Sequence, residues 1–373
     1  MRLSLVVMLL ALLLVPVGAA GQEQACDGDF HVVHDLGDGE LSDIDFAAPD
    51  DGWAVGYDYP DPEASRERPM VTRFDGEGFE EMHPPVEPGH RAELTGLDAV
   101  SPTDVWAVGH IYPNRGTAVS GLVYNWDGNE WVSMDVPGPG KRSWLRGVSV
   151  VASDDVWAVG SFERKDRYAY DSLVLHYDGV EWKKVSAPSP GKKYGSLNDV
   201  DFVSATEGYA VGYWGDQRPL ALRWNGSEWK RIWMPGVRFV DYETFDAVDA
   251  ESTDNVWIVG DGFRRALAVH GTSAGWERTR FPEMSGSPWF FDVAATATEA
   301  WTVGYRFVPE TAHAIAGHWE SEWDRVAVEG ERSYSSLEAV AVDADGAAWA
   351  VGDIVSAGDP GRWREVIEKG CNP

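Results

Sequence analysis

Trp106-Ala107-Val108-Gly109 is one of seven near-copies of a single phrase; the others are Trp53-Ala54-Val55-Gly56, Trp157-Ala158-Val159-Gly160, Tyr209-Ala210-Val211-Gly212, Trp257-Ile258-Val259-Gly260, Trp301-Thr302-Val303-Gly304 and Trp349-Ala350-Val351-Gly352. Their aromatic residues stand 44 to 53 residues apart. A repeat of that length is one supersecondary unit that buries its apolar face against its neighbours. The chain therefore reads as an array of like units forming one domain.

The surroundings of each copy say what the unit contains. An apolar strand comes first, as in Leu41-Ser42-Asp43-Ile44-Asp45-Phe46 or Leu197-Asn198-Asp199-Val200-Asp201-Phe202. A polar turn such as Ser101-Pro102-Thr103-Asp104 leads to the Trp-Ala-Val-Gly strand, and after a variable loop comes a third, as in Leu173-Val174-Leu175-His176-Tyr177. Asp127-Gly128, Asp178-Gly179 and Asn225-Gly226 then signal a hairpin into a fourth strand, because such turns demand positive φ, where Gly and Asn sit cheaply. Four antiparallel strands per unit make a blade. The expectation is an all-β, seven-bladed β-propeller occupying residues 26–371.

The seventh unit begins at 336–342 and 347–352, but the chain ends at Pro373 without its fourth strand. Residues 26–33 imitate the turn and fourth strand at 177–184, so an N-terminal strand is predicted to close the last blade. The chain's 2 cysteines, Cys26 and Cys371, flank that break, and a disulfide between them would re-seal it. Two unpaired thiols or a metal pair is the alternative.

Residues 1–20 read as a signal peptide, with Arg2, an apolar run over 3–14 and the small residues Gly18-Ala19-Ala20. The run is shorter than the roughly 20 residues of a spanning helix. The mature protein is thus expected to be secreted, extracellular or periplasmic, with no membrane span after cleavage; such a compartment permits the disulfide. Asp and Glu number 61 against 31 Lys and Arg, a net charge of −30, which argues against nucleic acid or an anionic membrane as partner.

The recurring Trp could form a sugar-binding row. Its fixed place inside a Val-rich strand points instead to packing between neighbouring blades, and the same holds for a second aromatic set, Phe79, Trp131, Trp182, Trp229, Trp276 and Trp323. Two readings are open for Asp43, Asp98, Asp199 and Asp246 of the first strands: they ring the axial channel and hold a cation, or they tie down turns through backbone N–H groups.

The order Asp-Val-x-Phe, turn, Trp-Ala-Val-Gly, then Asp-Gly-x-x-Trp resembles the BNR-like and kelch-like propeller repeats, including those of photosystem II assembly-factor propellers. The resemblance covers essentially all of the mature chain and implies the fold. Sialidase members carry Ser-x-Asp-x-Gly-x-Thr-Trp, which is reduced here to Asp178-Gly179-Val180-Glu181-Trp182, and no arginine triad matches.

Loops between the second and third strands and between blades emerge on one face and hold most of the basic residues, interleaved with aromatics. Arg164, Arg167, Tyr168, Trp214, Arg218, Arg264, Arg265, Tyr305 and Arg306 are the candidate ligand-binding residues there. No catalytic residue is assigned. The histidines, among them His176, His270 and His318, show no metal-ligand spacing, so no metal or cofactor is expected beyond an optional axial cation. The expected function is a secreted, non-enzymatic, monomeric binding or scaffold module for an extracellular or envelope protein or glycan. The rival is a glycan-active hydrolase or lyase, in which carboxylates from the loop face meet across the channel.

Overall fold

The computed structural model describes residues 29–60, 67–113, 118–165, 169–188, 194–235, 237–239, 242–262, 265–309, 311–328, 334–355 and 363–370. The predicted signal segment, Cys26 and Cys371 lie outside them. The 28 strands begin with β1 (His31–Gly37), and the rest follow in sets. The first sets are β2 (Gly39–Ala48), β3 (Asp51–Asp58), β4 (Arg68–Phe74) and β5 (Phe79–Met82), then β6 (Arg91–Ser101), β7 (Asp104–Tyr112), β8 (Ser120–Trp126) and β9 (Trp131–Ser133). Next come β10 (Ser143–Ala152), β11 (Asp155–Glu163), β12 (Tyr170–Tyr177) and β13 (Trp182–Lys184), followed by β14 (Gly195–Ser204), β15 (Glu207–Trp214), β16 (Arg218–Trp224) and β17 (Trp229–Arg231). The following sets are β18 (Thr244–Ser252), β19 (Asn255–Asp261), β20 (Leu267–Thr272) and β21 (Gly275–Arg278), and β22 (Ser287–Ala295), β23 (Ala300–Val308), β24 (Thr311–Trp319) and β25 (Trp323–Val326). β26 (Ser335–Val342), β27 (Ala348–Val355) and β28 (Trp363–Gly370) end the chain.

Five sheets have 4 antiparallel strands; a sixth has 8, being two such sets linked by the single pair Asp261 and Trp289. The first strands of successive sets touch in order, from β2 through β6, β10, β14, β18 and β22 to β26, which returns to β2. This is a β-propeller of about seven blades. β1 supplies the outer strand of the last sheet, pairing with β28 through His31 and Lys369 and through Asp35 and Val366.

The repeated phrase forms the second strand of each set, flanked by strands on both sides. It is therefore buried on both faces, and Trp53, Trp106, Trp157, Trp257, Trp301 and Trp349 are each at most 3% exposed. Each ring packs on an aromatic of the next set: Trp53 on Trp131, Trp106 on Trp182, Trp157 on Trp229 and Trp257 on Trp323, with centroids 5.3 to 6.0 Å apart. An acid two residues earlier commonly accepts the indole N–H, as Asp104 does from Trp106 at 2.8 Å and Asp155 from Trp157 at 3.0 Å. Such pairing removes the cost of burying an unsatisfied donor.

A β-bulge recurs in each first strand, at Leu41/Asp43, Leu94/Gly96, Leu145/Gly147, Leu197/Asp199, Phe245/Ala247, Phe290/Asp292 and Leu337/Ala339. It presses the first strand's backbone onto the glycine of the repeated phrase. A Cβ on Gly56 would overlap the Glu40 carbonyl oxygen, and one on Gly160 that of Trp144. Glycine is required there for close approach. On the opposite face the hairpin turns are as expected: Gly128 and Gly226 have φ of 94° and 84°, and the side-chain Oδ1 of Asn225 accepts the N–H of Ser227 and Glu228 at 3.1 and 3.0 Å.

Candidate functional site

The acids of the first strands show what the bulge does. Asp43 accepts the N–H of Leu97 at 2.7 Å, Asp98 that of Val150 at 2.8 Å and Asp199 that of Val248 at 2.8 Å. Each donor belongs to the next sheet. These carboxylates clamp neighbouring sheets rather than turns, which corrects the turn reading. Asp246 differs; it accepts the Trp289 indole and the Asn198 amide, each at 3.2 Å. Burial, then the charges of neighbouring aspartates, pushes Asp43, Asp98 and Asp199 well above the usual carboxylate range.

At the loop-face mouth of the channel the sequence is more acidic than the arginine count suggested. Glu338 is pushed up to about 7 chiefly by burial, against a 2.7 Å hydrogen bond from the Ser336 hydroxyl. Asp353 is pushed up to about 8 by burial and by the charges of Glu338 and Glu40. Glu40 accepts the Tyr57 hydroxyl. Many loop-face cations are spent on local acids: Arg68 on Asp58, Arg91 on Glu67, Arg142 on Glu163 and Arg164 on Asp171.

The predicted ligand residues do not converge on one point. Arg164 follows β11 and is held by Asp171. The Arg218 guanidinium lies 5.5 Å from the ring centre of Trp214, at the rim of the β14–β17 sheet. Tyr305 packs against Trp289 and Phe291, with centroids 5.7 and 5.4 Å away. Arg306 donates to the Ser285 carbonyl and hydroxyl at 3.5 and 3.2 Å, anchoring the linker between β21 and β22. Arg265 borders the same linker. Arg167, Tyr168 and Arg264 lie outside the described residues.

That linker closes a cleft of about 730 Å³ lined by Arg265, Arg278, Arg280, Pro282 and Met284 among others. Arg278 pairs at 2.9 Å with Glu243, which is 1% exposed. Arg265 and Arg280 are exposed and have no ion-pair partner among the described residues. Arg278 and Arg280 escaped the sequence reading because they follow Trp276 at the end of a fourth strand rather than in a second-to-third-strand loop; the clue was two arginines in Trp276-Glu277-Arg278-Thr279-Arg280. Two free guanidinium forks beside apolar Pro282 and Met284 suit a carboxylate carried on an apolar frame.

Fold and cleft together describe a β-propeller with an arginine-bearing groove between two sheets. Among solved structures, the chain is similar to YCF48 bound to D1 peptide, at TM-score 0.57 and 12% identity over 91% of this chain and 94% of that one. It is similar to streptogramin B lyase, at 0.57 and 12% over 90% and 97%, and to the WD40 propeller domain of Doa1, at 0.55 and 9% over 91% and 96%. Likeness at this identity concerns the fold. No protein-family model and no curated protein matches the chain.

Proposed function

We propose that this chain is a secreted, non-enzymatic, seven-bladed propeller that binds an acidic segment of an extracellular or envelope protein in the cleft between the β18–β21 and β22–β25 sheets. One observation carries the reading: Arg265 and Arg280 stand exposed, with no ion-pair partner among the described residues, beside Pro282 and Met284 in a chain of net charge −30. Cations left uncompensated amid so many acids favour an anionic partner. The signal-like segment at 1–20 supports secretion, and the 28 strands support the blade count. YCF48, a propeller of similar fold, is seen bound to D1 peptide, which supports a protein ligand over a glycan.

The test uses a fluorescent oligoglutamate peptide and an oligogalacturonate, each titrated at low and high salt. The double variant R265A/R280A should weaken peptide binding about tenfold or more, since each charge-assisted contact is worth on the order of 1.5–3 kcal/mol, and leave the melting temperature unchanged. R278A should instead lower the melting temperature, because it removes the 2.9 Å ion pair to the buried Glu243. Peptide affinity indifferent to salt and to the double variant refutes the reading; preference for the oligogalacturonate shifts it to a glycan.

A hydrolase or lyase has one observation in its favour. Glu338 and Asp353 lie beside Glu40 with raised pKa values, as a general acid requires. Glycan cleavage that E338Q abolishes and R265A/R280A leaves intact would establish it.

A further inference from the structure

We propose that Glu299, His318 and Glu320 form a binding site for a divalent transition metal of the zinc type, on the hairpin-turn face of the β22–β25 sheet. Antiparallel pairing places Trp301 opposite His318 and Ala300 opposite Trp319, so Glu299, just before β23, faces Glu320, just after β24. One ligand atom from each of the three lies within 4.8 Å of the others, and His318 Nε2 is 3.1 Å from a Glu299 carboxylate oxygen. Zinc–ligand bonds of about 2.0–2.1 Å at tetrahedral angles need ligand atoms roughly 3.3 Å apart. The three side chains are close to that arrangement, and water would complete it.

A histidine paired with the polar residue that precedes the motif Trp by two positions belongs to the scaffold, as its repeats show. His176 meets Asp155 at 2.7 Å and His270 meets Asn255 at 2.9 Å, each imidazole stacked on the Trp of its sheet. Two things set the β23–β24 pair apart. Asp178, the counterpart of Glu320, is held in its turn by the N–H groups of Val180 and Glu181 at 3.2 and 3.1 Å and by Lys183 at 2.5 Å. Glu320 has no hydrogen-bond or ion-pair partner among the described residues. Asp155, moreover, accepts its indole N–H from Trp157, whereas the indole N–H of Trp301, 1% exposed, has no acceptor. Glu299 is one methylene longer than Asp155 and carries its carboxylate past the indole to the imidazole.

His318 is also rigidly set. Its ring stacks on Trp301 with centroids 4.2 Å apart, and Phe30 closes on the same indole edge to face. A ligand held in place loses little freedom on coordination. One imidazole with two carboxylates suits zinc; calcium takes oxygen ligands and has little use for the imidazole. The site is independent of the arginine cleft, so either proposal can fail without the other.

The experiment titrates zinc chloride into the metal-stripped mature protein at neutral pH and counts the ions retained. Wild type should hold one ion that E320A loses or binds about 10- to 100-fold more weakly, since even groups behind the ligands cost that much. Glu320 is exposed and unpartnered, so the zinc-free melting temperatures of the two should coincide. Zinc should raise that of wild type alone. E322A, two residues away, should retain the ion, and excess calcium should not displace it. Equal retention by E320A, equal loss by E322A, or displacement by calcium overturns the proposal.

Discussion

The ring of Phe30 meets the indole of Trp301 edge to face, with centroids 5.8 Å apart and planes at 89°, although the two residues stand 271 positions apart in sequence. Trp53 and Trp131 adopt the same geometry between adjacent sheets, at 5.9 Å and 83°. The N-terminal segment therefore occupies the aromatic position that the C-terminal strands do not provide. The Phe30 N–H donates to the Ala327 carbonyl at 2.9 Å, fixing the segment from a second side.

Phe30 is fully buried, so Phe30→Ala should cost about 3–5 kcal/mol, the usual range for truncating a core phenylalanine. Urea unfolding measures it. A loss under about 1 kcal/mol would mean that the segment is not what closes the ring.

Antiparallel pairing of His31 with Lys369 sets the first and last strands side by side, whereas the predicted Cys26–Cys371 disulfide lies outside the described residues and is left to experiment. Closing most of the chain, such a bond should contribute roughly 5–6 kcal/mol in the chain-entropy model. Peptide mapping without reduction is expected to recover the two cysteines as one linked species. Recovery of both as free thiols rejects the bond.

Gly160→Ala should destabilise by about 1–3 kcal/mol or more, because the new methyl overlaps the Trp144 carbonyl of the bulged strand. Gly138→Ala, exposed and with nothing within 4 Å of the added carbon, is the control and should be near neutral. Equal melting temperatures for the two variants would remove the steric account of the motif glycine.

Glu338 and Asp353 make stability depend on pH in a defined direction. Their folded pKa values lie above the ordinary ones, so the folded chain holds protons that the unfolded chain releases. Their contribution to stability is greatest at low pH and is lost as pH rises from 4.5 to about 7 for Glu338 and from 3.8 to about 8 for Asp353. The melting temperature of wild type should fall between pH 5 and 8, and E338Q should fall less steeply. A variant with the wild-type slope would show that Glu338 does not titrate in that window.

The bulged first strands mark where sequence reading stopped. Alternation along Leu41-Ser42-Asp43-Ile44-Asp45-Phe46 gives a strand with an apolar face. It does not give the extra residue that turns Asp43 toward the N–H of Leu97, because a bulge is set by the fit between two strands. The arginine cleft was half legible: Arg265 falls in a loop-face segment, whereas Arg278 and Arg280, following Trp276 at the end of a fourth strand, do not. Arg164 stands in a loop by sequence, but the fold pairs it with Asp171.

The amino-acid sequence by itself determined the propeller, the place of the repeated Trp between sheets and the use of the N-terminal strand to complete the last one. Those features follow from periodicity and burial, which repeat along the chain and can be read locally. Tertiary structure alone decided which charges are compensated and which side chains meet. Glu299 and His318 lie 3.1 Å apart only because β23 and β24 pair in one register, and a shift of one residue would send the imidazole to the other face of the sheet.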